Sequence, residues 1–168
     1  MSAPGAGPAL RVGCGYDVHR LVAGRPLFLG GERIEHPLGL EGHSDADVLL
    51  HALADAILGA AGLGDIGQHF PPGEERWRGI AGADLLGRVV ALARQAGWRT
   101  VNCDLTLLAE APRLAPYRAA IRERIGAILG IEPAAVGLKA TTHERLGTIG
   151  RGEGIAAMAV VLLTAVAP

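Results

Sequence analysis

Apolar residues recur at helical spacing in three segments of the chain. Residues 45–61, 83–96 and 116–129 each show them three and four positions apart, which predicts three amphipathic helices. We expect Asp45 to cap the first helix and Gly62 or Gly64 to end it. The apolar face of that first helix comprises Val48, Leu49, Ala52, Leu53, Ala56 and Ile57.

The other two helices are predicted with similar boundaries. Gly97 is well suited to close the second helix. The third helix should turn Ile121, Ile125 and Ile128 inward, and its charged residues predict a solvated face. These charged positions are Arg118, Arg122, Glu123 and Arg124.

Shorter apolar or alternating runs between these helices predict strands. They cover residues 10–19, a hairpin at 27–34, a mostly buried strand at 100–108, and strands at 136–142 and 154–166. Residues 21–26 and 36–42 are expected to be a turn and a loop. The order predicts one α+β domain over residues 10–168, with helices on one face of a mixed sheet. Residues 1–9 are expected to form a disordered tail.

Composition and charge exclude several classes of protein. The chain has 168 residues and a formal net charge of -1, which argues against nucleic-acid binding through a basic surface. Its longest apolar run, at residues 155–167, is too short to cross a bilayer, and no signal peptide is recognisable. We therefore expect a soluble, cytoplasmic protein. Cys14 and Cys103 are expected to be small buried residues in strands and not a disulfide.

Two short segments carry residues typical of a metal site. Asp47, His51 and Asp55 step by four along the first helix and so share one face. Asp17 and His19 are two apart on a strand and point to the same side. Together with His51 they offer one oxygen and two nitrogen ligands and leave a fourth position open, as a catalytic zinc requires. A solvated helix face is the alternative explanation of the polar stripe.

Two loops contain further candidate residues. In residues 64–75, Asp65 is equally suited to hold substrate hydroxyls and to cap a turn. Residues 147–154 contain four glycines and Arg151, which suits phosphate binding through backbone amides and a guanidinium. A glycine-rich loop alone is weak evidence, because it lacks the lysine and the spacing of a nucleotide-triphosphate loop.

Five motifs follow one another along the chain. They are Gly13-x-Gly-Tyr-Asp-Val-His19, Gly42-His-Ser-Asp-Ala-Asp-Val-Leu-Leu-His-Ala52, Leu63-Gly-Asp-Ile-Gly67, Lys139-Ala-Thr-Thr-His-Glu-Arg-Leu-Gly147 and Gly150-Arg-Gly-Glu-Gly-Ile-Ala156. In these motifs the chain resembles the 2-C-methyl-D-erythritol 2,4-cyclodiphosphate synthases of the non-mevalonate isoprenoid (MEP) pathway. The resemblance runs from about Arg11 to Val166.

The resemblance implies a homotrimer with its sheets around a central cavity and its active sites between adjacent subunits. The reaction it implies is intramolecular phosphoryl transfer by a phosphorus–oxygen lyase. The 2-phosphate of 4-diphosphocytidyl-2-C-methyl-D-erythritol 2-phosphate attacks the β-phosphorus, closes the cyclic diphosphate and expels CMP. Zinc is implied on Asp17, His19 and His51, and Mg2+ or Mn2+ on Glu144.

The resemblance also assigns roles to the remaining site residues. It implies transition-state stabilisation by His43 and Thr142. Asp47 and Asp55 are expected to be structural or to orient a ligand histidine by accepting its free N–H. Methylerythritol, cytidine and phosphate contacts are implied for Asp17, Val18, His19, His43, Ser44, Asp65, Ile66, Gly67, Phe70, Ala109, Glu110, Ala111, Pro112, Arg113, Leu114, Thr141, Thr142, His143, Glu144, Thr148 and Arg151.

The chain departs from the family pattern at several positions. Residues 70–74 lack the aspartates usual after the Asp-Ile-Gly motif, and Arg113 replaces a lysine. His143 replaces a common threonine, and Thr148 replaces a phenylalanine beside the central cavity. Family members can hold an isoprenoid diphosphate in that cavity, met by the arginine matching Arg151. The less aromatic cavity leaves its occupant open.

Two other functions are compatible with these residues. A non-catalytic trimeric binding module would use zinc only for structure, but the open ligand position and the retained Glu144 and Thr142 argue against it. A generic zinc phosphohydrolase would release inorganic phosphate instead of CMP and a cyclic product. The products formed from the cytidyl substrate distinguish all three.

Overall fold

A five-stranded mixed sheet forms the centre of the fold. The computed structural model describes residues 9–166, so the predicted tail of residues 1–9 lies, except for its last residue, outside the described part. The strand order is β4-β1-β7-β5-β6, with β5 and β6 parallel and the other pairs antiparallel. The strands are β1 (Leu10–Ala23), β4 (Leu38–Leu40), β5 (Trp98–Leu108), β6 (Val136–Thr141) and β7 (Gly154–Ala165). A separate hairpin pairs β2 (Leu27–Leu29) with β3 (Glu32–Ile34).

Three long helices cover one face of this sheet, which confirms the predicted α+β class. They are α1 (Val48–Ala61), α3 (Gly82–Gln95) and α4 (Arg118–Leu129), close to the segments predicted from periodicity. α1 is apolar on almost every side and lies between the sheet and α3. Its most buried large side chains are Leu49, Leu50, Leu53, Ile57 and Leu58. These side chains form the centre of the core.

Two glycines of β1 let α1 lie directly on the strand. A Cβ atom at Gly13 would stand 1.9 Å from the Ala56 carbonyl oxygen, and one at Gly15 the same distance from the Ala52 carbonyl oxygen. No side chain fits in that gap, because real Cβ atoms do not approach this closely. The close approach brings His51, in the first turn of α1, over the end of β1.

The start of α1 corrects the predicted cap. Asp47, and not Asp45, accepts a hydrogen bond from the Leu50 amide and is the N-cap residue. Asp45 instead accepts from the amides of Asp47 and Gly82, which ties the loop before α1 to the start of α3. Ala46 between the two aspartates adopts a positive φ of 58°, so the chain turns once more before the helix begins.

Four segments that were predicted to be irregular contain regular structure. β1 runs on to Ala23 into the predicted turn, and residues 36–42 include β4, which pairs with the end of β1. Residues 64–75 include the short helix α2 (Ile66–His69), and a 3-10 helix begins at their end (Glu75–Trp77). The glycine-rich loop includes the short helix α5 (Gly147–Gly150). Hydrophobic periodicity misses these elements because each is only three or four residues long.

Two predictions about side-chain environment were wrong. Cys14 is exposed, although Cys103 is buried as expected. β5 alternates between buried and exposed positions along its length and is not mostly buried. The charged face of α4 is solvated as predicted at Arg118, Glu123 and Arg124, whereas Arg122 is half-buried and donates to the carbonyls of Val136 and Pro133.

The second face of the sheet has no cover from the described residues. Val12 is 69% exposed, Tyr16 56% and Val18 49%, and Met158 and Val160 on the neighbouring β7 are each 44% exposed. These five side chains form what we call the open sheet face. Most monomeric proteins expose apolar side chains singly and not as a contiguous group of this kind. In residues 9–166 no helix is both long enough and apolar enough to cross a membrane.

Candidate metal centre

Three side chains from β1 and α1 converge on one point, and we call them the metal triad: Asp17, His19 and His51. The Asp17 Oδ2 atom lies 2.9 Å from His51 Nδ1 and 3.1 Å from His19 Nε2. Within residues 9–166 this is the one group of three or more such side chains whose ligand atoms all lie within 4.8 Å of one another. The predicted convergence of strand and helix is therefore observed.

The second nitrogen of each histidine ring faces a hydrogen-bond acceptor. His19 Nδ1 lies 2.5 Å from the Glu41 carbonyl, and His51 Nε2 lies 3.2 Å from the Ser44 hydroxyl. With protons on these nitrogens, each ring directs its lone pair towards the shared centre. This arrangement fixes the ring orientation as the neighbours of metal-ligating histidines usually do.

The protonation state of the triad favours the binding of a cation. Burial raises the pKa of Asp17, but hydrogen bonds and charge attraction from His19 and His51 outweigh it and hold that pKa well below its usual value. Burial lowers the pKa of His19, yet the Asp17 carboxylate more than compensates and raises it. Asp17 is therefore a carboxylate at neutral pH, and a bound cation would displace the proton that this carboxylate attracts to His19.

Asp47 and Asp55 support this region without touching the triad nitrogens. Asp47 is fully buried and accepts from the amides of Gly30 and Gly31 as well as from Leu50, so it joins the β2–β3 turn to α1. Asp55 accepts from the Ile66 amide at 2.8 Å and so holds the Asp-Ile-Gly segment. Of the two roles expected for these aspartates, the contacts fit the structural one, because a carbonyl and a hydroxyl face the second nitrogens of the histidines.

A cavity of about 250 Å³ opens beside the triad. It is polar at the metal triad and apolar at its other end, where Phe70 and Trp77 contact edge-to-face with their ring centroids 5.0 Å apart. Its lining residues are Asp17, His19, His43, Ser44, His51, Ile66, Gly67, Phe70, Pro72, Trp77, Ile80 and Leu85. Such a cavity can hold a small ligand with an anionic group at one end and a carbon skeleton at the other.

Sequence reasoning missed part of this cavity wall. Trp77 and Ile80 line it from a segment whose path does not show in periodicity. Leu85 also lines it from the predicted second helix, but its periodicity does not show that this helix borders the cavity. Trp77 was the available signal, since it is one of only two tryptophans and stands among charged residues. Asp65, which was predicted to be suited to either role, caps α2 by accepting from the Gln68 amide at 3.0 Å. Val18 points to the open sheet face, so only its backbone is near the triad.

The other predicted site residues lie in two segments that follow β5 and β6, and we call these residues 109–114 and 141–145 the edge loops. Glu110 links them by accepting from the amides of His143 and Arg145. The Thr142 hydroxyl lies 3.2 Å from a carboxylate oxygen of Glu144. The side chains of Ala111, Arg113, Thr141, Thr142 and Glu144 are exposed.

The edge loops do not reach the metal triad within one chain. Asp17 pairs with Ala157 of β7, which pairs with Leu107 of β5, and the neighbouring Leu108 pairs with Thr141 of β6. The triad on β1 is thus at the same end of the sheet as both loops. It is two strand spacings, about 10 Å, from the loop after β5 and three, about 14 Å, from the loop after β6. None of the residues in the edge loops lines the cavity beside the triad.

The predicted phosphate-binding loop does not line the cavity beside the triad, although it borders a surface pocket that His19 also lines. Arg151 in this loop pairs with Glu153, with Nε 2.6 Å from Oε1. Thr148 lies near the end of β1, where it lines a small surface pocket together with Val18 and His19. The residues from 147 to 153 thus lie beside the open sheet face and not over the cavity.

The donor set of the triad fits zinc. One carboxylate oxygen and two imidazole nitrogens are the hard and borderline ligands that zinc accepts, and three of them leave one position for a substrate oxygen. The cavity lies beside the triad and can admit that oxygen. A structural zinc site would instead close its coordination with a fourth side chain, usually cysteine, and the exposed Cys14 and buried Cys103 are not part of the group.

Comparisons with known proteins agree on one family. The profile of the YgbB family matches residues 10–164. A relative from Symbiobacterium thermophilum, a 2-C-methyl-D-erythritol 2,4-cyclodiphosphate synthase, is 63% identical over 152 residues, which are 90% of this chain and 97% of that protein.

Solved structures give the same result. A bifunctional IspDF from Campylobacter jejuni is 39% identical with a TM-score of 0.91, and the match covers 95% of this chain and 43% of that one. A CDP-bound form of 2C-methyl-D-erythritol-2,4-cyclodiphosphate synthase is 39% identical with a TM-score of 0.84, covering 91% of this chain and 99% of that one.

Proposed function

The chain belongs to the YgbB family, and from this we propose that its metal triad serves a cyclodiphosphate synthase. The protein converts 4-diphosphocytidyl-2-C-methyl-D-erythritol 2-phosphate to 2-C-methyl-D-erythritol 2,4-cyclodiphosphate with release of CMP. The observation that carries the proposal is the convergence of Asp17, His19 and His51 beside a cavity of matching polarity. As a reaction class we propose a phosphorus–oxygen lyase that acts in the cytoplasm.

The reaction requires little covalent work from the protein. An oxygen of the 2-phosphate bonds to the β-phosphorus, and the bond from that phosphorus to the oxygen bridging to the α-phosphate breaks, so that CMP leaves with the electron pair. Catalysis then depends on folding the substrate into an in-line arrangement and on neutralising its charge. The apolar wall of Phe70 and Trp77 would hold the carbon skeleton, and Ser44 with the Asp65–Gly67 segment would position its hydroxyls.

We propose zinc on the metal triad and Mg2+ or Mn2+ at Glu144. Zinc would supply Lewis-acid polarisation of a phosphate oxygen. Glu144 offers the hard oxygen ligand that magnesium prefers, and the neighbouring Thr142 hydroxyl is placed beside it. His43 lines the cavity beside the triad, where its ring can meet charge that develops on the transferring phosphate.

We propose that the active site is shared between subunits of a homotrimer. Within one chain the edge loops lie two and three strand spacings from β1, about 10 and 14 Å, and neither loop lines the cavity beside the triad. The open sheet face gives each chain an apolar surface for association. A cyclic arrangement would bring the edge loops of one chain to the triad of its neighbour.

The remaining assignments concern the ligands at the subunit boundary. We propose that residues 109–114 form the cytidine pocket, with Arg113 in place of a lysine, and that the loop with Thr148 and Arg151 borders a central cavity. In support, both segments carry exposed side chains, among them those of Arg113 and Thr148. Residues 70–74 would offer no aspartate to the substrate, and their Glu74 is paired with Arg76. The occupant of the central cavity stays a prediction.

Product analysis after incubation with the cytidyl substrate tests the proposed function. We expect stoichiometric CMP and cyclic diphosphate by chromatography, with zinc and magnesium both present. Inorganic phosphate instead of CMP would indicate a hydrolase, and no turnover would indicate a binding module.

The variant His51→Ala tests the role of the triad in the same assay. It removes one of three metal ligands, so we expect bound zinc to fall well below one per chain and CMP release to fall by about 10³-fold or more. The trimer mass should persist, because His51 is not on the open sheet face. A fully active His51→Ala protein would contradict the assignment.

A further inference from the structure

The loop that carries His43 is held by its backbone from outside. The Gly42 carbonyl accepts from Arg25 Nη1 at 2.8 Å, the His43 carbonyl from the Gly79 amide at 2.8 Å, and the Ser44 carbonyl from Arg25 Nη2 at 2.6 Å. Three consecutive carbonyls are thus bound by donors from two distant segments. A loop fixed in this way has little freedom to turn its side chains.

Arg25 binds this loop on both sides of His43. It stands in the turn between β1 and β2, is half-buried, and directs two nitrogens of its guanidinium at Gly42 and Ser44. The planar fork of arginine suits this bidentate contact, whereas the ammonium of lysine is a point donor on a flexible stem. The position of Arg25 is itself fixed, because Gly39 of β4 packs against the backbone of Arg25 and Pro26.

The imidazole of His43 depends on this support. In the described part of the chain its ring nitrogens form no hydrogen bond, yet His43 lines the cavity beside the metal triad. Its position is therefore decided by the backbone that carries it. Ser44 depends on the same backbone, and its hydroxyl accepts from the Ala46 amide while facing His51.

We propose that Arg25 is a positioning residue that fixes the His43–Ser44 segment over the reacting phosphates. The inference rests on the proposed function, since it is the transfer reaction that requires His43 at a defined place. Arg25 acts through the loop and does not bind the substrate itself. Small misplacements of catalytic groups reduce rates strongly, about 10²-fold for a shift of 1 Å.

Kinetics of Arg25→Lys and Arg25→Ala, with Arg33→Lys as the matched control, test this proposal. Arg33 is exposed on β3 and forms no hydrogen bond to the loop. We expect kcat for CMP release to fall on the order of 10²-fold in Arg25→Ala and about tenfold in Arg25→Lys, with KM changed by no more than about threefold. Zinc should stay at one per chain, and Arg33→Lys should match the wild type.

Histidine NMR gives a second readout that needs no turnover. With His43 assigned through His43→Gln, its ring resonances should shift or broaden in Arg25→Lys, while those of His36 should not. The NMR comparison still tests the role of Arg25 if the wild type releases no CMP. That outcome would refute only the proposed function.

Three outcomes would overturn the proposal. An unchanged kcat together with an unchanged His43 resonance in Arg25→Lys would show that the position of the His43 loop does not depend on the bidentate guanidinium of Arg25. A raised KM at constant kcat would make Arg25 a direct phosphate contact. Loss of zinc from Arg25→Lys would make it a support of the metal ligands instead. Should Arg25→Ala fail to fold, the lysine variant carries the test.

Discussion

The metal triad and the edge loops differ in how much of their surroundings one chain provides. At the triad, both histidine rings are oriented by Glu41 and Ser44, and α1 is locked onto β1 through two glycines. At the edge loops, Thr142 and Glu144 are exposed and contact chiefly each other. One chain therefore provides the surroundings that orient the metal triad. At the edge loops it leaves the polar side chains in solvent, where we propose that a neighbouring chain covers them.

This difference indicates how the proposed reaction is divided. A metal site whose ligands are already held in place binds its ion more tightly, because less ordering has to accompany binding. A site built between subunits can leave its other half open until the chains associate. Changes to the triad, or to the contact of β1 with α1 beneath it, should therefore alter metal content, and changes in the edge loops should alter turnover alone.

The largest expected effect comes from Gly15→Ala. Its Cβ would overlap the Ala52 carbonyl, so α1 has to move away from β1 and His51 with it. We expect the free energy of unfolding to fall by about 1–3 kcal/mol and zinc affinity to fall on the order of 10²-fold. Urea unfolding and zinc titration measure both quantities.

The matched control for this change is Gly87→Ala. Gly87 lies within α3, and an added Cβ meets nothing within 4 Å, so this variant should be neutral or slightly more stable. Wild-type zinc affinity in Gly15→Ala would refute the claim that the close approach of strand and helix sets the site.

A smaller effect confined to turnover is expected from Glu144→Gln. The change removes a charged oxygen ligand from an exposed loop, so kcat for CMP release should fall about 10²-fold while zinc content stays unchanged. Glu123→Gln, an equally exposed change on α4, should leave both unaffected. Loss of zinc from the Glu144 variant would contradict the claim that the edge loops act on turnover and the metal triad on zinc binding.

The smallest expected effect is the pH dependence of Asp55→Asn. Burial raises the pKa of Asp55 above its value in the unfolded chain, so the native state binds this proton more tightly and loses stability as pH rises through the native pKa. The asparagine keeps an oxygen for the Ile66 amide but cannot ionise. We expect Asp55→Asn to gain about a few tenths of a kcal/mol on the wild type between pH 4 and pH 7, because solvent screens a half-exposed group.

Urea unfolding of both metal-free proteins at the two pH values measures this difference. If the wild type instead becomes more stable relative to Asp55→Asn as pH rises, the native state stabilises Asp55 as a carboxylate. Its role beside the triad would then be electrostatic as well as structural.

Sequence alone predicted the parts of the site that depend on local geometry. The two-residue spacing of Asp17 and His19 puts both on one side of β1, and helical periodicity places His51 near the start of α1. The fold class followed from the order of helices and strands. These features need only the backbone periods of 2 and 3.6 residues.

The errors arose where distant segments meet. Asp45 and Asp47 both suit a cap, and the choice depends on the amides of Gly30, Gly31 and Gly82, which no local pattern reveals. The contact of Arg25 with the His43 loop joins residues 17 and 19 positions apart and leaves no periodic signal. The exposure of Cys14 likewise depends on which face of the sheet the helices cover.

Mixing two inactive variants tests the shared site most directly. His51→Ala lacks a triad ligand and Glu144→Gln lacks the edge-loop carboxylate, so each should be nearly inactive alone. If trimers form from both chains at random, about one quarter of the sites combine an intact triad with an intact neighbouring loop, and CMP release should recover to about that fraction. No recovery in trimers shown by mass spectrometry to contain both chains would contradict the account.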